Sequence, residues 1–181
     1  MFFVDFIPNT FSVWYASFAT NMQNRTVAFA SFVISVFFAG QVTSRILCGF
    51  VVEKFGTWKV VLTSIFLVLL SAIFSMFYLN DTLIFITVFI LGFGVAPLYP
   101  LFMDIAKKIF GIDQLRGVIG LSGSFAKAGG FMASVFIGFL INISSLKCIF
   151  IVLLIGSIIA VILFNLLFNF TKDIKNENVL E

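Results

Sequence analysis

The chain has no histidine, only two cysteines and only three prolines among its 181 residues. The two cysteines, Cys48 and Cys148, are too few and too far apart in sequence for a metal cluster, and no histidine is present to supplement them. We also find no nucleophile–base pair and no phosphate-binding loop. The sequence therefore predicts a protein that is not an enzyme and that uses no metal ion or other cofactor.

Charged residues are also scarce, at 10%, because most of the chain is apolar. Hydrophobic residues make up 61% of the sequence, 27 of them are phenylalanine, and the mean hydropathy is +1.18. Most of the length divides into apolar runs of about 20 residues, the length that an α-helix needs to cross a bilayer. Such runs have no water to bind their backbone groups and must be helical. We predict an all-α, multi-pass integral membrane protein, inserted by its spanning helices because no secretory signal precedes them.

We predict six transmembrane spans joined by short loops, at residues 2–21, 28–51, 59–79, 83–106, 116–141 and 147–170. They form one bundle over residues 1–171, and a polar tail of residues 172–181 follows. An even number of spans places both termini on one side. Most basic residues fall on that side: Lys54, Lys59, Lys107, Lys108, Arg116, Lys172 and Lys175. Positive residues favour the inner side, so we expect both termini and the tail to be cytoplasmic, and the net charge of +3 to reflect topology rather than nucleic-acid binding.

The six spans differ in polarity in a way that suggests a repeat. The third and sixth spans contain no aspartate, glutamate, lysine or arginine over residues 60–79 and 149–168, whereas the first, second and fifth each contain one or more. This pattern is expected if two three-helix units each keep one helix outermost, against lipid. Nested three-helix inverted repeats of this kind build each half of one large class of transporters.

The first span carries Asp5, Asn9 and Ser12 at a spacing that puts them on one helical face. Asn9 and Ser12 are candidates for binding a polar solute. Two interpretations of Asp5 remain open. It belongs to the same polar stripe, or it marks the boundary with cytoplasmic water.

In the second span, Arg45 lies eight residues before Glu53, roughly 12 Å of helix rise above the inner loop. Arginine at this depth is unfavourable by at least about 2.5–3.5 kcal/mol, so it should face a cavity or a partner. Gln41 lies at the edge of the same polar face. The alternative is that Arg45 forms a structural ion pair, for example with Asp104 near the inner end of the fourth span.

Lys127, near the middle of the fifth span, is the strongest candidate for a functional residue. An ionisable side chain within the membrane indicates a functional site by default, and no residue of the six spans is an obvious partner for it. Its counter-ion could be a substrate anion or an acid on other helices. In the fourth span, Pro97 and Pro100 should interrupt the helix. Tyr99 between them offers a solute an aromatic wall, or is ordinary packing.

The segment "GFVVEKFGTWK" joins the second and third spans. Its pattern resembles the signature of the major facilitator superfamily, which lies between the second and third helices and recurs in weaker form between the eighth and ninth. Glu53 stands in place of the usual aspartate, and Thr57-Trp58 stands where a basic pair usually begins, so the segment is similar to the weaker copy. The residues that match or take the place of motif positions are Gly49, Glu53, Lys54, Gly56 and Lys59.

Further stretches are similar to the tenth and eleventh helices of the same family, especially its fucose–proton symporter-like sugar branch. They are "LGFGVAPLYPLFMDIAKKIFG" and "GVIGLSGSFAKAGG". The resemblance implies that the six spans correspond to helices seven to twelve, the C-terminal half of a major facilitator fold. It also implies that Glu53, Lys54 and Lys59 make gating contacts, whereas the alternative is a hairpin that only anchors topology.

We therefore expect the C-terminal half of a secondary active transporter that moves a small polar solute, either sugar-like or an organic anion. Its partners would be the solute, the bilayer and a matching six-helix half, but no nucleic acid. The alternative is a non-transporting, truncated or regulatory membrane protein that pairs with another transporter half. The predicted substrate-binding residues are Lys127, Arg45, Asn9, Ser12, Gln41 and Tyr99.

Overall fold

The computed structural model describes residues 1–77, 80–143 and 145–177, with side chains up to Asn169 except those of 112–115. The described residues form helices and no strand. The helices are α1 (Phe2–Met22), α2 (Val27–Phe55), α3 (Thr57–Phe74), α4 (Asp81–Val95), α5 (Leu98–Ile143) and α6 (Cys148–Glu177). This confirms the all-helical class. Residues 78 and 79 of the predicted third span, residues 178–181 of the predicted tail and the side chains of Lys172 and Lys175 lie outside what is described.

Among the described residues, five stretches are long and apolar enough to cross a membrane, where the sequence predicts six. They are Val27–Phe55, Thr57–Phe74, Asp81–Gly111, Arg116–Ile143 and Cys148–Asn169. The remaining helix, α1, has 21 residues but is less apolar, because it carries polar side chains such as Asp5, Asn9 and Ser12. These are the side chains that the sequence singles out as a functional face.

The helices are weakened or broken at three places. Ala96 and Pro97 lie between α4 and α5, but Ala96 keeps helical backbone angles (φ −59°, ψ −40°) and the apolar stretch Asp81–Gly111 runs through both, so the prolines weaken the helix without ending the span. Gly111 has φ +72°, a value that glycine adopts readily, and it breaks the helical geometry inside α5. Gly56, at φ +82°, is the single residue between the end of α2 and the start of α3. Pro8, in contrast, lies inside α1 without ending it.

Two helix pairs cross at very short range. In the pair α2–α4, a Cβ atom on Gly40 would overlap the α4 backbone, and one on Gly92 would overlap the carbonyl oxygen of Phe37. In the pair α1–α5, a Cβ atom on Gly129 would overlap the carbonyl oxygen of Phe2. Small residues allow such close approach between membrane helices, whose association depends on packing rather than on water release. These crossings hold the helices that form the candidate site.

The core between the helices is apolar and tightly filled. Phe11, Phe37, Leu91, Ile137 and Ile149, one from each of α1, α2, α4, α5 and α6, are almost completely buried. Many other large apolar side chains on the outer faces of the helices are exposed. An exposed apolar surface of this extent suits a lipid environment rather than water.

Candidate functional site

A depression of about 400 Å³ lies where α1, α2 and both segments of α5 meet. Its polar lining consists of Asp5 from α1, Gln41 and Arg45 from α2, and Tyr99 and Lys127 from α5. Gln41 and Arg45 are four residues apart, so one face of α2 presents both. The depression brings together four of the six residues that the sequence predicts to bind a solute: Gln41, Arg45, Tyr99 and Lys127.

The Lys127 ammonium has a partner inside the bundle, contrary to the expectation from sequence. It donates a hydrogen bond to the Asp5 carboxylate, with Nζ 2.8 Å from Oδ2. The Lys127 side chain is 84% exposed and that of Asp5 is 25% exposed, so the ion pair is open to the depression rather than enclosed in the core. The expectation that Lys127 has no partner within the six helices was therefore wrong. The α1–α5 crossing provides the partner.

Asp5 lies in the first turn of α1, where the α1–α5 crossing brings its carboxylate to Lys127. The same carboxylate lines the depression. Its two interpretations, as part of the polar stripe and as the mark of the cytoplasmic boundary, both stay predictions.

Arg45 does not pair with Asp104, so the structural ion pair considered as its alternative was wrong. The Asp104 carboxylate instead accepts hydrogen bonds from Thr57 Oγ1 at 2.6 Å and from Lys108 Nζ at 2.6 Å. Arg45 is exposed on the wall of the depression, and none of the described carboxylates lies within 4 Å of its guanidinium. Its charge therefore faces the depression.

Asn9 and Ser12 do not line the depression. Asn9 packs in the α1–α5 crossing, where a Cβ atom on Gly130 would overlap its amide nitrogen. Ser12 is half-buried one turn further along α1. Their predicted hydrogen bonds to a solute stay predictions.

The motif between α2 and α3 is exposed at its charged positions. Glu53, Lys54 and Lys59 are exposed, and no salt bridge is present at any of them in the described part of the chain. The Lys54 ammonium lies 5.5 Å from the centroid of the Phe55 ring. Gly49 has open space where a Cβ atom would be, and Gly56 forms the turn. The gating role of these residues remains a prediction.

Two contacts of the structure are not predicted from the sequence. One is the Asp5–Lys127 pair, for which the signal was an unpaired acid and an unpaired base in different apolar helices. The other is the buried hydroxyl of Thr57 between Asp104 and Lys108. The i, i+4 spacing of that acid and base on one helix was visible in the sequence.

Taken together, apolar helices of membrane-spanning length surround a depression with ionised side chains, as in a membrane protein that handles a polar solute. A family model of the Major Facilitator Superfamily matches residues 1–180, nearly the whole chain. The chain belongs to this superfamily and is an integral membrane protein. The superfamily consists generally of transporters rather than enzymes, in line with the prediction from composition.

The chain is also similar to the proton-coupled antiporter flippase LtaA of Staphylococcus aureus, in strains USA300, NCTC 8325 / PS 47 and COL. The two sequences are 24% identical over 110 residues, which is 60% of this chain and 28% of the relative. The matched region thus spans less than a third of the relative's length. Neither finding supports the predicted likeness to the fucose–proton symporter-like sugar branch.

Proposed function

We propose that this chain forms the C-terminal half of a secondary active transporter that moves a small polar solute across a membrane by alternating access. The observation that carries the proposal is the convergence of Asp5, Gln41, Arg45, Tyr99 and Lys127 on one depression. Ionised side chains in membrane helices mark solute and ion pathways, because they are too unfavourable to keep without a partner or a cavity.

The arrangement of helices agrees with two three-helix repeats. Two repeats of three helices would relate α1 to α4, α2 to α5 and α3 to α6. Under this relation the close pair α1–α5 corresponds to the pair α4–α2, which is the other close pair. The packing of α3 against α4 likewise becomes that of α6 against α1, and both contacts are present. In transporters with such repeats, the solute binds between two matching bundles. The second bundle would cover the depression.

The charges favour an organic anion over a neutral sugar. Two cations and one carboxylate line the depression, and an additional negative group would neutralise the remaining positive charge. Gln41 and Tyr99 supply neutral polar groups that could bind hydroxyls of either solute. The staphylococcal relative is named a proton-coupled antiporter flippase, so transport should also be measured with a proton gradient across the membrane.

Uptake into proteoliposomes containing the protein expressed from its complete gene tests the proposal. We expect labelled carboxylates to be taken up. Lys127→Gln and Arg45→Gln should each lower kcat/KM by about 10-fold or more, the effect of losing a charge-assisted hydrogen bond of about 1.5–3 kcal/mol. Lys107→Gln removes an exposed lysine outside the depression and serves as the matched control. Uptake that is unchanged in both variants for every solute would exclude this site. Absence of uptake, together with crosslinking to another transporter, would favour a regulatory protein.

A further inference from the structure

Lys127 has two possible anionic partners once a solute with a carboxylate enters the depression. The first is Asp5, which already contacts it at 2.8 Å. The second is the solute, because the Lys127 side chain remains 84% exposed while it makes this contact. An ammonium group has three donors on a flexible stem and can turn from one acceptor to another with little rearrangement.

The charges that line the depression also set how much negative charge it can hold. Arg45 and Lys127 are positive and Asp5 is negative, which leaves one positive charge without compensation. The other polar side chains of the lining, Gln41 and Tyr99, carry no formal charge. The depression, as this chain lines it, is therefore matched to one additional negative charge.

We propose that this depression takes up a single carboxylate-sized anionic group of the solute, and that Asp5 holds Lys127 until that group displaces it. The inference rests on the proposed transport function. It goes further because it gives Asp5 the role of an internal competitor, which limits affinity for the anion and keeps Lys127 paired when the site is empty. Removing Asp5 should therefore strengthen anion binding, whereas removing a group that binds the solute would weaken it.

A cysteine probe in the depression measures this charge balance without any need to know the solute. Gln41 is half-buried in the lining, so Gln41→Cys, in a protein whose native cysteines are replaced by alanine, puts a thiol at the site. The thiol is treated with sulfonatoethyl and with trimethylammonioethyl methanethiosulfonate, which differ in the sign of their charge. Asn80→Cys, at the exposed start of α4 and outside the lining, corrects for the intrinsic reactivity of each reagent.

We expect the sulfonate reagent to react faster at Gln41→Cys than the trimethylammonium reagent, by roughly 10-fold, because a charged cleft concentrates the opposite ion. Asp5→Asn should increase this ratio and Lys127→Gln should bring it close to one. The double variant Asp5→Asn/Lys127→Gln should restore the original ratio, since it again leaves one positive charge. A ratio that is the same in all four proteins would overturn the inference.

Protection of the same thiol by benzoate tests the displacement. In Asp5→Asn, the benzoate concentration that halves the labelling rate should fall roughly two- to fivefold, the range expected for losing a competing exposed ion pair. Glucose, as the neutral probe, should protect equally with and without Asp5. Weaker protection by benzoate in Asp5→Asn would show that Asp5 supports the site rather than competes for it. A protein that labels as expected but takes up no solute would contradict the transport proposal alone.

Discussion

Thr57 stands where the signature that this chain resembles usually has a basic residue. Its side chain is buried and hydrogen-bonded to charged groups. The residue is 5% exposed, and its hydroxyl donates to Asp104 and accepts a hydrogen bond from Lys108 Nζ at 2.9 Å. The first residue of α3 is thereby joined to α5 through an ion pair. Hydrogen bonds to charged groups are stronger than those between neutral ones.

We expect Thr57→Val to lower the free energy of unfolding by about 1.5–3 kcal/mol, because valine has the same shape but leaves Asp104 and Lys108 without the hydroxyl. Unfolding in mixed detergent micelles, followed by circular dichroism, measures the change. The matched control is Thr63→Val, since the Thr63 hydroxyl bonds only to the Lys59 carbonyl of its own helix. Equal effects of the two substitutions would show that the network does not stabilise the fold.

At this scale, the sequence identifies polar residues but not their partners. Arg45 and Lys127 could be singled out because an ionised side chain in an apolar run is unfavourable wherever it lies. That Asp5 meets Lys127 could not be predicted, because the two are 122 residues apart and nothing local sets the register between α1 and α5. The assignment of Asp104 to Arg45 failed for the same reason.

At the level of helices, the sequence predicts where helices form better than it predicts which helices pack together. Helicity follows from hydrophobic run length, and the weak point between α4 and α5 follows from the prolines. The pairing of α2 with α4 is harder to predict from the sequence. Glycines such as Gly40 and Gly92 indicate close packing, but they do not show which helix packs against them.

Gly92→Ala should lower the free energy of unfolding by about 1–3 kcal/mol, because the added methyl group meets the Phe37 carbonyl, a backbone atom that cannot turn away. The same detergent unfolding experiment measures it. Gly49→Ala is the control, since Gly49 lies in helix α2 with open space at its Cβ position and alanine should stabilise by about 0.5–1 kcal/mol there. If both substitutions destabilise equally, the close crossing is not the cause.

For the whole molecule, the distribution of basic residues predicts that both termini and the α2–α3 turn are cytoplasmic. In intact cells, a membrane-impermeant maleimide should label Asn80→Cys, at the start of α4, and should not label Glu53→Cys, at the α2–α3 turn. Both positions are exposed, so accessibility within the fold does not distinguish them. After permeabilisation, both should react. Labelling of Glu53→Cys in intact cells would reverse the predicted orientation.

The α1–α5 crossing also has a consequence for how the protein is made. The contact between Phe2 and Gly129 joins residues that leave the ribosome at very different times. At about 5–20 residues per second, α1 waits roughly 5–25 s for this part of α5. During that time Asp5 has no Lys127 beside it, and α1 is not among the stretches apolar enough to cross a membrane. We therefore expect α1 to reach its stable place in the bilayer only after α5 has followed, when Asp5 gains Lys127 as its partner.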